Sequence, residues 1–106
     1  MNDLYVVCIV DLEMDHVGRV RHMFPRVEKV CYTEDTAKAC VANMVETYKD
    51  DGYISTKLRL VTGVSLRKNI QVSKSRTILR RVTVFYQKVT MWDVKSANEG
   101  DGADGR

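Results

Sequence analysis

Residues 33–52, TEDTAKACVANMVETYKDDG, decide the fold class of this 106-residue chain. The apolar side chains of this stretch recur with the 3.6-residue period of a helix buried along one face. They are Ala37, Cys40, Val41, Met44, Val45 and Tyr48. Thr33 is suited to be the N-cap, and Gly52 can adopt the left-handed conformation that ends many helices. The pattern therefore predicts a helix over residues 34–50.

Apolar segments on both sides of this helix are typical of β-strands. Leu4–Val10 is apolar on both faces, which predicts a strand in the middle of a sheet beneath the helix. Residues 54–61 alternate apolar and cationic side chains, which predicts a half-buried strand. Three further strands are predicted at Val17–Phe24, closed by Pro25, at Val27–Tyr32, and at Leu79–Val94 with a bulge near Gln87. Residues 62–77 are predicted to be a long hairpin tip or a short extra strand, Asn69–Val72.

These elements predict an α+β fold, with a single helix packed on a small antiparallel or mixed sheet that carries a long basic hairpin arm. The length and the 44% hydrophobic content fit one globular domain, which we place at residues 1–94. Residues 95–106 are rich in Gly and Asp, and we expect a disordered tail there.

Several classes of protein are disfavoured by the sequence. Its longest apolar run, Leu4–Val10, is far shorter than the roughly 18 residues of a membrane span, and no basic segment precedes it. We therefore expect a cytoplasmic protein with no membrane contact. Cys8, Cys31 and Cys40 lack the spacing of a zinc site and are odd in number, so we expect buried, reduced thiols.

Charge is strongly segregated along the chain. Residues 52–92, which we call the basic segment, contain nine Lys or Arg residues and no Asp or Glu, although the whole chain carries a net charge of only +3. The nine cations are Lys57, Arg59, Arg67, Lys68, Lys74, Arg76, Arg80, Arg81 and Lys88. Clustered cations attract anionic partners before contact, so these residues are the predicted anion-binding or partner-binding site. A plainer interpretation is that they solvate an exposed hairpin and protect its edges from aggregation.

One acidic cluster, directly after the first strand, could serve chemistry. Asp11, Glu13, Asp15 and His16 are residue types that hold Mg²⁺ or Mn²⁺, but the spacing does not fit an EF-hand and no second carboxylate cluster is evident. We expect no metal and no cofactor. Because no catalytic motif occurs either, we expect that the protein is not an enzyme, and that His22 lies at the surface.

The order of an apolar strand, a short strand, a Thr-capped helix and a strand opening with Tyr53-Ile54 resembles small proteins encoded by phages and prophages. The resemblance covers residues 4–61 and rests on patterning, so it assigns no functional residue. It implies a protein that acts by binding host or phage macromolecules.

Taken together, these features predict a non-enzymatic binding protein, of phage type, whose basic segment engages nucleic acid or another phosphate-bearing partner. Aromatic side chains for stacking bases are sparse there, which favours duplex nucleic acid or an acidic protein surface over single strands. The alternative is an inhibitor of a host defence or regulatory protein, acting by protein contact or by sequestering an anionic signalling nucleotide. A homodimer formed through a sheet edge is a further expectation.

Overall fold

A computed structural model describes residues 2–91 as five strands and one helix. The elements are β1 (Asn2–Met14), β2 (Val20–Cys31), α1 (Glu34–Asp50), β3 (Ile54–Arg59), β4 (Gly63–Ser73) and β5 (Arg76–Met91). The strands pair antiparallel in the spatial order β2-β1-β5-β4-β3. One helix on an antiparallel sheet confirms the α+β class. The predicted tail, residues 95–106, lies outside the described residues.

The predicted helix is confirmed at both ends. Thr33 is the N-cap, and its hydroxyl accepts a hydrogen bond from the Thr36 amide at 3.2 Å. Asp51 is the C-cap, and the following Gly52 has a φ of 93°, a left-handed conformation that glycine adopts without strain. The predicted apolar stripe faces the sheet, with Ala37, Val41 and Val45 buried at its centre.

The helix divides the sheet into two different faces. Side chains of a strand alternate between its two sides, and those of Val7 and Ile9 lie beneath α1 with no exposed surface. We call this side the covered face and the opposite side the free face. The core of the covered face consists of Val7, Ile9, Cys31, Ala37, Val41, Val45, Tyr53, Leu66, Val82, Val84 and Tyr86.

β1 lies inside the sheet, as its doubly apolar sequence predicts. It pairs along its whole length with β5, from Asn2 opposite Met91 to Met14 opposite Leu79, and along its other edge with β2. The 13 residues of β1 and the 16 of β5 make these strands much longer than the usual five or six. Helix α1, with 17 residues at about 1.5 Å each, is therefore too short to cover the full length of the sheet.

The prediction that Pro25 closes a strand is wrong. A single strand, β2, runs from Val20 to Cys31 through the proline and replaces the two short strands predicted there. Because β2 is an edge strand, one side of its backbone needs no partner, and a residue without an N–H is tolerated. The pairing slips at Glu28, where Val7 lies opposite Lys29 and Cys8 opposite Val27.

The predicted bulge near Gln87 is also wrong. The β1–β5 register continues through this residue without a shift. The apolar side chains of β5 change from even to odd positions because both faces of this interior strand carry apolar residues. Val84 and Tyr86 lie on the covered face, whereas Phe85 and Val89 lie on the free face.

The strand after the helix is present but is not half-buried as predicted. It forms β3, the second edge of the sheet, and the side chains of Ile54 and Leu58 are each 54% exposed. Within the described residues no hairpin arm stands apart from the sheet, because residues 62–77 contain all of β4, the turn and the first two residues of β5. Gly63 begins β4 so close to β5 that a Cβ atom there would lie 2.2 Å from the Val84 carbonyl oxygen.

All three cysteines are free thiols, but only one has the predicted environment. Cys31 is buried in the core, whereas Cys8 on the free face and Cys40 on α1 are partly exposed. Burial is nevertheless sufficient to raise the pKa of both the Cys8 and the Cys40 thiol. At neutral pH they remain thiols rather than reactive thiolates.

Candidate anion-binding site

The tertiary structure gathers the basic segment in one half of the sheet, on both of its faces. Its cations lie on the three neighbouring strands β5, β4 and β3 and in the turn between β4 and β5. Lys57 and Arg59 belong to β3, Arg67 and Lys68 to β4, Lys74 to the turn, and Arg76, Arg80, Arg81 and Lys88 to β5. The sequence alone does not show that these three strands are neighbours in the sheet.

Three of the nine cations are paired with acids from the first half of the chain. Lys68 Nζ lies 3.8 Å from Asp51 Oδ2, Arg80 Nη2 lies 3.2 Å from Asp11 Oδ2, and Lys88 Nζ lies 3.4 Å from Asp3 Oδ2. All three acids precede the basic segment in sequence. The absence of acids within the segment therefore overstates its charge in the folded protein.

Lys68 connects the end of the helix to the sheet. Its ammonium group donates a hydrogen bond to the Asp51 carbonyl oxygen and lies 5.5 Å from the centroid of the Tyr53 ring. The first contact satisfies a carbonyl group next to the helix C-terminus, and the second is a cation–π interaction. Lys68 thus has a structural role on the covered face.

Arg80 and Asp11 form the least exposed of these ion pairs. The side chain of Asp11 is only 15% exposed and that of Arg80 is 32% exposed. Both lie on the covered face at the edge of the core. Asp11 lies opposite the core residue Val82, and Arg80 lies opposite Glu13. Removing either partner would leave a poorly hydrated charge and destabilise the fold. Because Asp11 neutralises it, Arg80 adds little to the positive charge of the surface.

Arg67 and Arg81 are different, because they face each other without an anion. They are direct cross-strand neighbours in the β4–β5 register, and both point to the free face. Both are partly buried, and no Asp or Glu of the described residues forms a salt bridge with either. Like charges directly opposite in a sheet destabilise it, so this pair is a position where a bound anion would be favourable.

Polar groups around the arginine pair also lack partners. The Arg81 Nε atom is buried without a hydrogen-bond acceptor. Ser65, the next residue of β4 on the same face, is fully buried, and its Oγ atom has no hydrogen-bond partner. Thr83 lies directly opposite Ser65. Buried polar atoms without a partner are rare in proteins, so this part of the free face combines positive charge with unused hydrogen-bonding capacity.

The other unpaired cations extend the site along the sheet. Lys57, Arg59, Lys74 and Arg76 have no salt bridge among the described residues. Lys74 lies seven positions after Arg67, a distance of roughly 24 Å at about 3.4 Å per residue. A polyanion following β4 would meet unpaired cations at both ends of this length.

The acidic cluster after the first strand is used within the protein. Asp11 pairs with Arg80, and Glu13 Oε2 lies 3.8 Å from Nε2 of His22. The backbone amides of Arg19 and Val17 donate hydrogen bonds to Asp15 Oδ1 at 2.9 and 3.0 Å. The Arg19 hydrogen bond is the main cause that holds the pKa of Asp15 below its usual value. In the described part of the chain, no three His, Cys, Asp or Glu side chains converge as metal ligands would.

The side chain of His22 is 58% exposed, which agrees with the surface position predicted from the sequence. Its ring stacks on Phe24 with 5.9 Å between the centroids, and both residues lie on the covered face of β2 beyond the helix.

Comparison with known proteins leaves the site to be interpreted from its own chemistry. No protein-family model matches the sequence, and neither a curated protein nor a solved structure is significantly similar to it. No helix in residues 2–91 is long and apolar enough to cross a membrane.

The arginine pair and its polar neighbours could not be singled out from the sequence. Arg67-Lys68 and Arg80-Arg81 read as two equivalent basic pairs. Alternation along a strand predicts that the members of each pair point to opposite faces, but not which face is covered. The β4–β5 register and the position of α1 decide that Arg67 and Arg81 lie together on the free face.

Proposed function

We propose that the protein is a non-enzymatic binding protein of the phage-encoded type, which holds phosphate groups of nucleic acid between Arg67 and Arg81. The observation that carries this proposal is the like-charged, partly buried arginine pair that has no acidic partner in residues 2–91. Guanidinium groups donate in a planar fork that matches phosphate oxygens, and a bound phosphate would offset the repulsion between the two arginines.

Duplex nucleic acid suits the surrounding surface better than single strands. The exposed neighbour of the arginine pair on the free face of β4 is Asn69, which can donate to phosphate oxygens but cannot stack on bases. Lys74 of the β4–β5 turn and Arg76 at the start of β5 lie further along the same hairpin and would meet further phosphates, whereas Arg59 lies opposite Val64 of the covered face. Recognition of this kind is electrostatic and independent of base sequence.

Titration of mixed-sequence duplex DNA, followed by fluorescence anisotropy at several salt concentrations, tests the proposal. The double variant Arg67→Gln/Arg81→Gln should weaken binding by about tenfold or more and reduce the slope of log affinity against log salt by about two, because two phosphate contacts are lost. The chain offers a matched control in Lys68→Gln/Arg80→Gln, which removes the same charge from adjacent residues whose side chains are paired with acids.

The control should change DNA affinity by less than about threefold at equal fraction folded, since its cations already have partners. Equal weakening in the two double variants would show that only net charge matters and would refute the assigned site. Unchanged affinity in Arg67→Gln/Arg81→Gln would refute the proposal itself.

The second candidate is inhibition of a host defence or regulatory protein, favoured by the apolar surface beside the arginine pair. Leu12 of β1 lies directly opposite Arg81 on the free face, so an acidic protein with an apolar border would also fit. A pull-down from host lysate with and without nuclease separates the two candidates. A partner protein retained after nuclease treatment, and lost with Arg67→Gln/Arg81→Gln, would favour the inhibitor. Loss of all captured material on nuclease treatment would favour nucleic acid.

A further inference from the structure

The free face of the sheet carries an unbroken apolar row that nothing in the described chain covers. From Leu4 to Met14, every free-face residue of β1 is apolar: Leu4, Val6, Cys8, Val10, Leu12 and Met14. The covered face of the same strand, by contrast, carries Asp3, Asp11 and Glu13. The more apolar side of β1 is therefore the one that faces away from the helix.

The strands on either side of β1 widen this row into a surface. On the free face, β2 contributes Val20, Met23, Pro25, Val27 and Val30. β5 contributes Leu79, Phe85 and Val89, which alternate there with Arg81, Thr83 and Gln87. Met23 is 60% exposed and Val27 is 61% exposed. A groove of about 360 Å³ runs between Val27, Cys8 and Phe85 at the middle of this surface.

The size of this surface matches that of a protein interface. Three strands about 4.8 Å apart and roughly 40 Å long present about 600 Å² of flat sheet. Monomeric proteins rarely expose a continuous apolar area larger than a few hundred Å². Two such surfaces bury roughly 1,200 Å² together, which reaches the lower bound for stable protein complexes.

We propose that two copies of this chain pack their free faces together as a symmetric dimer centred on β1. The centre of the free face is uncharged, so a nucleic acid or a charged protein would gain nothing there, whereas an identical apolar face is complementary to it. Two sheets packed face to face at about 10 Å form the two-layer arrangement that a sheet apolar on both sides requires. A two-fold axis through the β1 row makes the contact self-complementary.

The dimer does not depend on the proposed anion binding, and the two proposals share one residue, Arg81 of β5. Arg67 lies on β4, outside the three strands of the contact, and Arg81 is level with Leu12 towards one end of β1. Each copy would keep β4 and β3, with their cations, beside the contact rather than within it.

Sedimentation equilibrium of the full chain from about 1 to about 100 μM tests the dimer by mass action. We expect the mass to rise with concentration to twice that of one chain. Val27→Glu should raise the dimer dissociation constant by about tenfold or more, because it places an unpaired carboxylate in an apolar contact. Phe24→Glu is the matched control, since Phe24 is 52% exposed on the covered face of the same strand.

Far-UV circular dichroism should show that both variants retain the secondary structure of the wild type. A chain that remains monomeric at about 100 μM overturns the proposal. Equal loss of dimer in the Val27→Glu and Phe24→Glu variants also overturns it, because that result places the contact on the backbone edge of β2 rather than on the free face.

The reactivity of the cysteines in the wild-type protein tests the same contact without any substitution. The partly exposed Cys8 lies in the β1 row, whereas the partly exposed Cys40 lies on α1. Reaction of Cys8 with a maleimide should slow as protein concentration rises, while that of Cys40 should not change. Slowing at Cys40 rather than at Cys8 would place the contact on the helix and overturn the proposal.

Discussion

The two faces of the sheet are built from the same strands, but their side chains differ in how they are packed and in whether their charges are paired. On the covered face, the apolar residues pack against α1 and the charged residues pair within the chain, as Arg80 does with Asp11. On the free face, the apolar row of β1 has no cover among the described residues, and Arg67 and Arg81 have no acid. Buried polar atoms without a hydrogen-bond partner occur on both faces, including Asp11 Oδ1 and Arg80 Nε on the covered face. The contrast between the faces therefore lies in the apolar cover that α1 provides and in the acid that pairs with Arg80 but not with Arg81.

This difference separates residues that are neighbours in sequence. Val6 and Val7 are the same residue type one position apart, as are Arg80 and Arg81, yet the members of each pair lie on opposite faces. Substituting one member of each pair at a time therefore measures the contrast between the faces directly. Such adjacent pairs also control for composition and strand position.

The largest effect is expected from the two valines. Val7→Ala should lower the free energy of unfolding by about 2–3 kcal/mol, because two methyl groups leave a fully buried site and a cavity remains. Val6→Ala should cost about 1 kcal/mol or less in the monomer, where its side chain is only partly buried. Urea denaturation at low protein concentration provides both values. Equal losses would contradict the distinction between a covered and a free face.

A smaller effect is expected from the two arginines. Arg80→Met should destabilise the protein by about 2 kcal/mol, because the little-exposed Asp11 loses its cation. Arg81→Met should change stability by less than about 0.5 kcal/mol, or raise it slightly, because it ends the repulsion from Arg67. Methionine keeps an unbranched apolar stem in both variants. If Arg81→Met proved the more harmful, Arg81 would have an internal partner and the candidate site would be wrong.

The smallest effect concerns the turn that joins β1 to β2 and so helps to fix which residues of β2 reach the free face. The pKa of Asp15 is lowered in the folded state, mainly by the Arg19 amide, so its ionised form stabilises the turn above the unfolded pKa of about 3.9. That stability is lost as the pH falls through the lower, folded pKa.

Asp15→Asn retains a hydrogen-bond acceptor but cannot titrate. Wild type should therefore be more stable than this variant at neutral pH, and the difference should disappear as the pH falls below the lowered, folded pKa of Asp15. Thermal unfolding at a series of pH values measures this difference, and the other carboxylates cancel because both proteins share them. Parallel stability curves throughout the acidic range would show that the Asp15 charge does not support the turn.

Sequence reasoning succeeded where the determinants are local. The helix is correct at both ends because its cap, its stripe and its terminal glycine all lie within residues 33–52. The interior position of β1 between β2 and β5 was also predicted from its own apolar residues, although only one of its two faces is covered within the described residues. These features together sufficed for the α+β class.

Sequence reasoning failed where the position of a strand in the sheet decides the outcome. Pro25 ends a strand by local rules, but the edge position of β2 allows it to continue. The apparent bulge at Gln87 is a change of apolar parity in a strand whose two faces both carry apolar residues. Ile54 and Leu58 have an alternating pattern, but at the edge of the sheet they stay exposed.

By itself, the sequence determined the helix, the interior strand and a cluster of nine cations, because periodicity, capping and charge are properties of short segments. Only the tertiary structure decided which of those cations meet acids and which meet each other. Asp3, Asp11 and Asp51 reach the basic segment across the sheet or from the end of the helix, at sequence separations that no local pattern encodes. Strand register fixes these meetings, and register depends on pairings between residues far apart in the chain.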